Sequence, residues 1–228
     1  MKNVISLILI LFFVNSLLFA QKETLEKTNK YAEVGFGVGS SQYSFSAAYN
    51  YNWQLGSKRK FFVGTGLRFT LFGGDNVNFT SAPSSLADDD KNVDTLLAPK
   101  PNINSLNLII NLGYNISSKF QVGFSIDALG FSFGPTGSPS YIRNGKAKVT
   151  AASPTSTNIL LVGNNDKGSL NSLLYLKYKL NEKFGLKLAY QFLFNELTTD
   201  TKIQTIPEQN DRFRNKGALG YLGVTYSF

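Results

Sequence analysis

The sequence contains no cysteine and no histidine among its 228 residues. Without cysteine there is neither a disulfide framework nor a thiolate metal site. Without histidine the chain lacks the side chain that most often acts as a general base or activates a serine. A Ser–Lys enzyme or one that uses paired carboxylates stays formally open, but no spacing singles out such residues. We therefore expect no enzymatic activity, no catalytic residues, no metal and no cofactor.

Long apolar runs are also scarce, and the single one lies near the amino terminus. Lys2 is followed by an apolar stretch over residues 4–19 and then by a small residue, which is the order of a secretory signal peptide. The alternative is an uncleaved membrane anchor, but Asn15 and Ser16 interrupt the run, and a spanning helix needs about twenty predominantly apolar residues. No later segment approaches that length, so any membrane span must consist of strands. We predict a signal peptide at 1–20, a short periplasmic segment at 21–30 and one domain at 31–228.

Negative charge is in deficit, with 15 Asp and Glu against 23 Lys and Arg and a formal net charge of +8. A nucleic-acid interface would cluster such cations on one face or along a helix. Here they sit in short turns such as 58–60 and in long loops. This distribution indicates contact with anionic lipid headgroups, and we expect no nucleic-acid partner.

What the sequence has in abundance is alternation of apolar and polar residues. A helix would place its apolar residues at spacings of three and four, whereas a spacing of two indicates strands. The connections alternate between short turns and three long polar loops at 73–103, 132–167 and 195–215, as at the two ends of bacterial outer-membrane barrels. We therefore predict an all-β fold, an antiparallel up-and-down transmembrane β-barrel of eight strands at about 31–39, 42–53, 61–72, 104–116, 120–131, 168–180, 184–194 and 216–228.

The longest loop leaves the number of strands open. Residues 140–150 and 157–162 within it have the composition of strands and are candidates to pair as an extra hairpin. Such a hairpin would either extend above the membrane or raise the barrel to ten strands.

Aromatic residues recur beside the short turns, together with cations. Aromatic rings prefer the level of the lipid headgroups, so these residues predict a girdle at one membrane interface. Two soluble alternatives are a β-sandwich and a lipocalin-like carrier, but neither would place aromatic residues and cations at the same level of every second turn. The predicted girdle consists of Tyr51, Trp53, Phe61, Tyr114, Phe120, Tyr178, Phe184, Tyr226 and Phe228.

Two phrases, GYNISSKF at 113–120 and GYLGVTYSF at 220–228, carry a resemblance to a known family. The chain resembles the eight-stranded outer-membrane β-barrel proteins of the OmpA/OmpX-like, porin-like architecture, in the form common among Bacteroidota. The resemblance covers residues 31–228 and implies a location in the cell outer membrane. It also implies that the barrel-assembly machinery reads an assembly signal in the last strand, at Gly220, Leu222, Val224, Tyr226 and Phe228.

The same alternation predicts which charged residues point into the barrel. An eight-stranded barrel is just wide enough inside for side chains to fill it, and a charge there is costly unless it is paired. These residues form either a plug of ion pairs or a narrow cation-lined path that favours anions. They are Glu33, Arg68, Asp127, Lys177, Lys179 and Lys187.

The long loops carry the candidate contacts with other molecules. The acidic run at 88–90, with Asp94, is either a solvated loop or a weak Ca²⁺ site that lacks the spacing of an EF-hand. Residues 94–96 resemble a short O-glycosylation acceptor. Three cations stand where the last strand begins, at the height of lipopolysaccharide phosphates: Arg212, Arg214 and Lys216.

Taken together, these patterns predict a monomeric integral barrel of the outer membrane with a polar, plugged lumen and three long extracellular loops. We expect it to act as a structural or surface-interaction protein. The alternative is a small passive porin or channel for small, anionic solutes.

Overall fold

The computed structural model describes residues 26–161 and 165–228, so the predicted signal peptide lies outside the described residues. The described chain is mostly β-structure. In chain order the strands are β1 (Thr28–Gly39), β2 (Gln42–Leu55), β3 (Phe61–Gly74), β4 (Val77–Ser81), β5 (Thr95–Ala98), β6 (Asn102–Asn115), β7 (Phe120–Phe133), β8 (Ser140–Arg143), β9 (Lys146–Val149), β10 (Ala152–Pro154), β11 (Thr157–Ile159), β12 (Leu170–Lys179), β13 (Phe184–Thr199) and β14 (Arg212–Ser227).

The eight long strands form a closed antiparallel barrel in the order β1-β2-β3-β6-β7-β12-β13-β14. β14 returns to pair with β1, in a register that runs from Tyr31 opposite Ser227 to Val38 opposite Gly220. Closure removes the open edges that a sheet would otherwise expose to lipid. The predicted fold class and the pairing of the first and last strands are confirmed.

Most predicted strands stop short at the ends that carry the long loops, although β12 begins at Leu170, two residues after its predicted start at 168. β13 continues to Thr199 and β14 begins at Arg212, where the alternation predicted ends at 194 and 216. β1 begins at Thr28, so residues 28–30 of the predicted periplasmic segment belong to the barrel, and residues 21–25 lie outside the described part. β13 and β14 pair with each other up to Thr198 opposite Arg212, and residues 28–30 of β1 pair with residues 51–53 at the end of β2.

Short strands from the long loops pair with barrel strands where these extend beyond their neighbours in the barrel. Above the point where β1 ends, β4 pairs with β14, with Ser81 opposite Phe213. β5, β8 and β9 continue this upper sheet. On the other side, β10 pairs with β13 and β11 pairs with β7. The predicted long loops are therefore folded over much of their length.

The predicted pairing of 140–150 with 157–162 as an extra hairpin is wrong, because each segment pairs elsewhere. β8 and β9 form a hairpin through a two-residue turn at Asn144 and Gly145, whose φ angles are 49° and 74°. Positive φ at both positions is the requirement of a type I′ turn, which Asn-Gly satisfies readily. The second predicted partner, β11, pairs with β7 instead. Neither adds to the barrel, which has eight strands.

Two short helical segments interrupt the first long loop, at Ser84–Ala87 and Asp90–Asn92. Across 26–161 and 165–228, no helix combines the length and the apolar character needed to cross a membrane.

The two ends of the barrel differ in kind. Short turns close one end, and the upper sheet stands on the other. In bacterial barrels the short turns face the periplasm, and we name the two ends periplasmic and extracellular on that basis.

Candidate functional site

The outer face of the barrel is apolar and unshielded. Val34, Leu188 and Leu222 are 51%, 64% and 60% exposed, whereas their inward-facing neighbours along each strand are buried. A soluble protein would bury such residues, but a lipid-facing wall requires them. This exterior is that of a transmembrane barrel of the outer-membrane type.

The aromatic girdle at the periplasmic end is present as predicted. Ring centroids are 4.9 Å apart for Phe61 and Tyr114, and 4.7 Å apart for Phe120 and Tyr178. Tyr226 lies 5.4 Å from Phe228, the last residue of the chain. These separations fall in the range of favourable aromatic pairs. The ring centroid of Tyr49 on β2 lies 6.1 Å from that of Phe228, so aromatic contacts cross the seam between β1 and β14.

The periplasmic half of the lumen holds an ion pair. Lys187 Nζ contacts Glu33 Oε2, and both side chains are nearly inaccessible to solvent. Tyr221 Oη lies 3.1 Å from Glu33 Oε1 and 2.8 Å from Ser46 Oγ. Lys187 Nζ also lies 4.2 Å from the ring centroid of Tyr175. The Glu33 carboxylate therefore has a cation and a phenol as partners.

A second ion pair lies one layer further toward the extracellular end. Arg68 Nη1 is 3.1 Å from Asp127 Oδ1 and donates to the carbonyl of Asn171 at 2.9 Å. The other carboxylate oxygen accepts from Asn107 Nδ2 at 2.7 Å and from the backbone N–H of Asn171 at 2.9 Å. Arg68 and Asp127 are 2% and 0% exposed. Such a pair is tolerable inside a barrel because both groups are hydrogen-bonded as well as paired.

The two remaining predicted lumen cations lie nearer the periplasmic mouth. Lys177 is 2% exposed, and its Nζ lies 3.9 Å from the ring centroid of Tyr31. Lys179 is half-buried and lines an open cavity of about 1100 Å³, which we call the periplasmic vestibule. All six predicted lumen charges thus face inward, and Lys179 does so at the mouth.

Three inward-facing tyrosines, which are among the largest fully buried side chains, were not predicted from the sequence. The alternation of the sequence could have identified them, because each tyrosine lies an even number of residues from an inward-facing glycine or charged residue on the same strand and therefore faces the same way. Inward-facing glycines on neighbouring strands make room for two of the phenol groups: a Cβ atom at Gly35 on β1 would overlap Tyr221, and one at Gly123 on β7 would overlap Tyr175. The three residues are Tyr31, Tyr175 and Tyr221.

The prediction for the three cations at the start of the last strand is wrong for Arg214, which is only 4% exposed. Its Nη2 lies 2.9 Å from Glu196 Oε2, and Arg212 Nε lies 2.8 Å from Glu196 Oε1. Both arginines also donate to the carbonyl of Asp166, which lies on a segment that covers this face of β13 and β14. Lys216 remains exposed, 5.9 Å from the ring centroid of Phe194. Lys216 is exposed and 26% of the Arg212 side chain is accessible, so these two residues keep the accessibility that a lipid contact needs.

An apolar cluster lies across the extracellular end of the lumen, and we call it the apolar cap. Its members come from β3 and β6 on one side, from β13 and β14 on the other, and from the loop strands between them, and all are at most 8% exposed. The cluster consists of Phe72, Val77, Phe79, Leu96, Ala98, Ile103, Tyr141, Ala152, Leu193, Leu197, Phe213 and Leu219.

A polar contact fastens the cap to the β8–β9 hairpin. Tyr141 Oη donates to Asp94 Oδ2 at 2.5 Å, and Arg143 Nη1 lies 3.5 Å from the same oxygen. Burial, followed by the hydrogen bond to Asp94 and its charge, raises the pKa of Tyr141 to about 12. The phenol therefore stays protonated and keeps donating well above neutral pH.

The acidic loop does not gather its carboxylates into a metal site. Within 26–161 and 165–228, no group of three or more Asp and Glu residues is placed to hold a metal ion. Asp89 caps the short helix at Asp90–Asn92 through the backbone N–H of Lys91, at 3.1 Å. Asp94 is committed to Tyr141 and Arg143.

Neither a protein-family model nor a curated protein matches the sequence. Among solved structures, the fold is similar to Neisserial surface protein A, at 12% identity and a TM-score of 0.41, covering 89% of this chain and 98% of that one. It is also similar to the Yersinia pestis outer membrane protein Ail in a phospholipid bilayer nanodisc, at 10% identity and a TM-score of 0.38, covering 88% and 99%. For the Pseudomonas putida toluene transporter TodX, the identity is 9%, the TM-score 0.26 and the coverage 89% and 79%.

Proposed function

We propose that this barrel is closed to solutes and serves as a rigid support for its extracellular sheet, which makes contacts at the cell surface. The observation that carries the proposal is the apolar cap. Phe72 on β3 and Leu193 on β13, from opposite sides of the eight-stranded wall, are 0% and 1% exposed within it. Apolar side chains packed to exclude water leave no route for ions or polar solutes.

The charges beneath the cap support the same proposal. Arg68 pairs with Asp127, and Lys187 pairs with Glu33, so four of the six lumen charges are neutralised in place. Removing one partner from such a pair is strongly unfavourable, so the pairs resist the rearrangement that an open path would need.

The proposed placement in the membrane follows from the exterior of the barrel. The chain inserts as a monomer, and the barrel-assembly machinery reads the aromatic end of β14. Lys216 beside Phe194 contacts lipopolysaccharide phosphates from the outer face of the wall.

The second candidate function is passive conduction of small anions. The observation in its favour is the excess of inward cations, because Lys177 and Lys179 have no counterpart among the predicted lumen carboxylates. Conduction would require the apolar cap to open, since it lies between these lysines and the extracellular side.

Conductance recording in planar lipid bilayers tests the choice. We expect the wild-type barrel to show no unit conductance steps. A Phe79→Ala and Phe213→Ala double variant removes two fully buried rings from the cap and should admit water and small ions intermittently. Val149→Ala, on the exposed β9, is the matched control, and heat-modifiable gel mobility checks that each variant forms a barrel. Steady anion-selective steps from the wild type would refute the closed barrel.

A further inference from the structure

The tip of the β8–β9 hairpin carries the only asparagine of the sequence that is followed by glycine, at Asn144 and Gly145. The two residues form the whole of the type I′ turn, and both are exposed to solvent. Within the described part of the chain, neither the Asn144 side chain nor the Gly145 N–H has a hydrogen-bond partner. The side-chain amide and the peptide nitrogen next to it are therefore both free to react.

Asparagine is one of the thermolabile residues of proteins, because the peptide nitrogen of the next residue can attack its side-chain amide. In this reaction the Gly145 nitrogen bonds to Cγ of Asn144, the Cγ–Nδ2 bond breaks, and the proton lost by the attacking nitrogen leaves with the departing ammonia. Water then opens the cyclic imide on either side of its nitrogen and leaves aspartate or isoaspartate. The overall change consumes water and releases ammonia, and no other reactant takes part.

Access to the attacking nitrogen determines how readily the ring closes. No heavy atom outside its two chain neighbours lies within 4 Å of the position that a Cβ of Gly145 would take. Asn76 provides a contrast, because it is exposed and has a similar left-handed backbone, with φ 51° against 49° for Asn144. It precedes Val77, which is branched at Cβ and only 3% exposed. The two positions therefore differ mainly in the crowding around the nitrogen that would attack.

Ring closure also requires the backbone at Asn144 to rotate out of the turn, and the hairpin is built to open there. β9 has four residues, all of them exposed. Among the described strands it pairs with β8 alone, through four residue pairs. A segment with so few buried contacts opens locally at a low free energy. The turn can therefore leave its closed conformation without disturbing the barrel.

The reaction would change both the charge and the backbone of the tip. Arg143 stands directly opposite Lys146, so two like charges flank the turn, and the new carboxylate lies between them in the sequence. Isoaspartate also adds its Cβ atom to the main chain, which the two-residue type I′ turn cannot accommodate. β8 stays attached, because it pairs with β5 and because Tyr141 donates to Asp94.

We propose that Asn144 is a site of spontaneous deamidation, and that its conversion to isoaspartate releases β9 from the edge of the extracellular sheet. The sheet of an aged molecule then ends at β8, whose edge becomes free. The barrel and the apolar cap are unchanged, since neither includes a residue of β9. The conversion does not depend on any partner at the cell surface.

Incubation of the folded barrel in detergent at mildly alkaline pH tests the site. Chymotryptic peptides are analysed by mass spectrometry at intervals, and isoaspartate is labelled with isoaspartyl methyltransferase. We expect the peptide that contains Asn144 to convert at least tenfold faster than the peptide that contains Asn76. Asn144→Gln keeps an amide at the same position and should lose the label, and heat-modifiable gel mobility checks that this variant forms a barrel.

Hydrogen exchange followed by mass spectrometry measures the release of β9. In protein whose Asn144 has become isoaspartate, the backbone amides of β9 that face β8 should exchange at least tenfold faster than in fresh protein. The amides of β6, within the barrel, are the control and should be unchanged. Either of two results would overturn the proposal: conversion of Asn144 no faster than that of Asn76, or unchanged exchange of β9 after the conversion.

Discussion

Replacing either Glu33 or Lys187 alone should lower the free energy of unfolding far more than replacing both residues together. The two side chains are 4% and 1% exposed, so solvent does not screen a charge left behind. Losing one member of a buried pair costs about 3–5 kcal/mol. Two charges about 4 Å apart at an effective dielectric constant of about 20 interact by about 4 kcal/mol, which agrees with that range.

We expect Glu33→Gln and Lys187→Met each to lower the free energy of unfolding by about 3–5 kcal/mol. Glu33→Gln keeps an oxygen that accepts from Tyr221, so its cost reports mainly the charge. The double variant removes both charges and should cost about 2 kcal/mol or less, which gives a coupling energy of about 4 kcal/mol or more.

Reversible urea unfolding from phospholipid vesicles measures the free energy of unfolding of the wild type, the two single variants and the double variant. The single tryptophan, Trp53, is 44% exposed on the lipid-facing wall and reports insertion by fluorescence. Lys183→Met, at an exposed turn, is the control and should change stability by less than about 0.5 kcal/mol. Costs that simply add in the double variant, or single costs below about 1 kcal/mol, would refute the proposed pairing.

Three further predictions concern the wall, its seam and the hairpin. Gly35→Ala places a methyl group where the Tyr221 phenol lies and should lower the free energy of unfolding by about 1–3 kcal/mol in the same urea assay. Gly220→Ala is the control. Its Cβ would lie 3.9 Å from the nearest atom, so its free energy of unfolding should stay close to that of the wild type. Deletion of Phe228 should reduce the amount of protein in the outer membrane more than it destabilises the finished barrel; normal outer-membrane levels would contradict this. Tyr141→Phe removes the hydrogen bond to Asp94 and should lower the stability of the protein at every pH up to about 10, the unperturbed pKa of tyrosine. Above pH 10 the difference from the wild type should shrink. The reason is that the stability contributed by the raised pKa of Tyr141 is lost as the pH rises toward 12. An alkaline titration followed by the absorbance difference between the wild type and Tyr141→Phe measures the ionisation of this phenol. Among the tyrosines of the extracellular sheet, Tyr141 should ionise at the highest pH. Its ionisation near pH 10 in the folded protein would contradict the raised pKa.

Alternation predicted the barrel because each spanning strand has one lipid-facing side and one lumen-facing side. The signal fails where both faces are covered. In β13, Asn195, Glu196 and Leu197 are consecutive buried residues, and in β14 the same holds for Phe213 and Arg214. A period of two cannot be read through such runs, so the predicted strands stop several residues early.

The candidate site was predictable in its charges but not in its pairings. The alternation along each strand identifies Glu33, Lys177 and Lys187 as inward-facing. It does not indicate which lysine forms the ion pair with the Glu33 carboxylate. That choice depends on register between strands that are far apart in sequence, such as β1 and β13, on opposite sides of β14. The burial of Arg214 was hidden for the same reason, because its cover comes from the segment at Asp166.

The extracellular sheet follows from the short connection between β1 and β2. Their turn at residues 40–41 ends this hairpin level with the end of β3, where Gln42 stands opposite Gly74, but well below the start of β14, which would leave the edge of β14 unpaired above it. Unpaired edges recruit other chains, and β4 occupies this edge through Ser81 and Thr80. The sheet then extends through β5 and β8 to β9, where Lys146 and Lys148 stand exposed on the terminal strand. Lysine on an edge strand opposes further pairing. The loops therefore continue the wall beside β14 above the short hairpin, and the apolar cap forms because the strands that do so must bury their inner faces against the lumen.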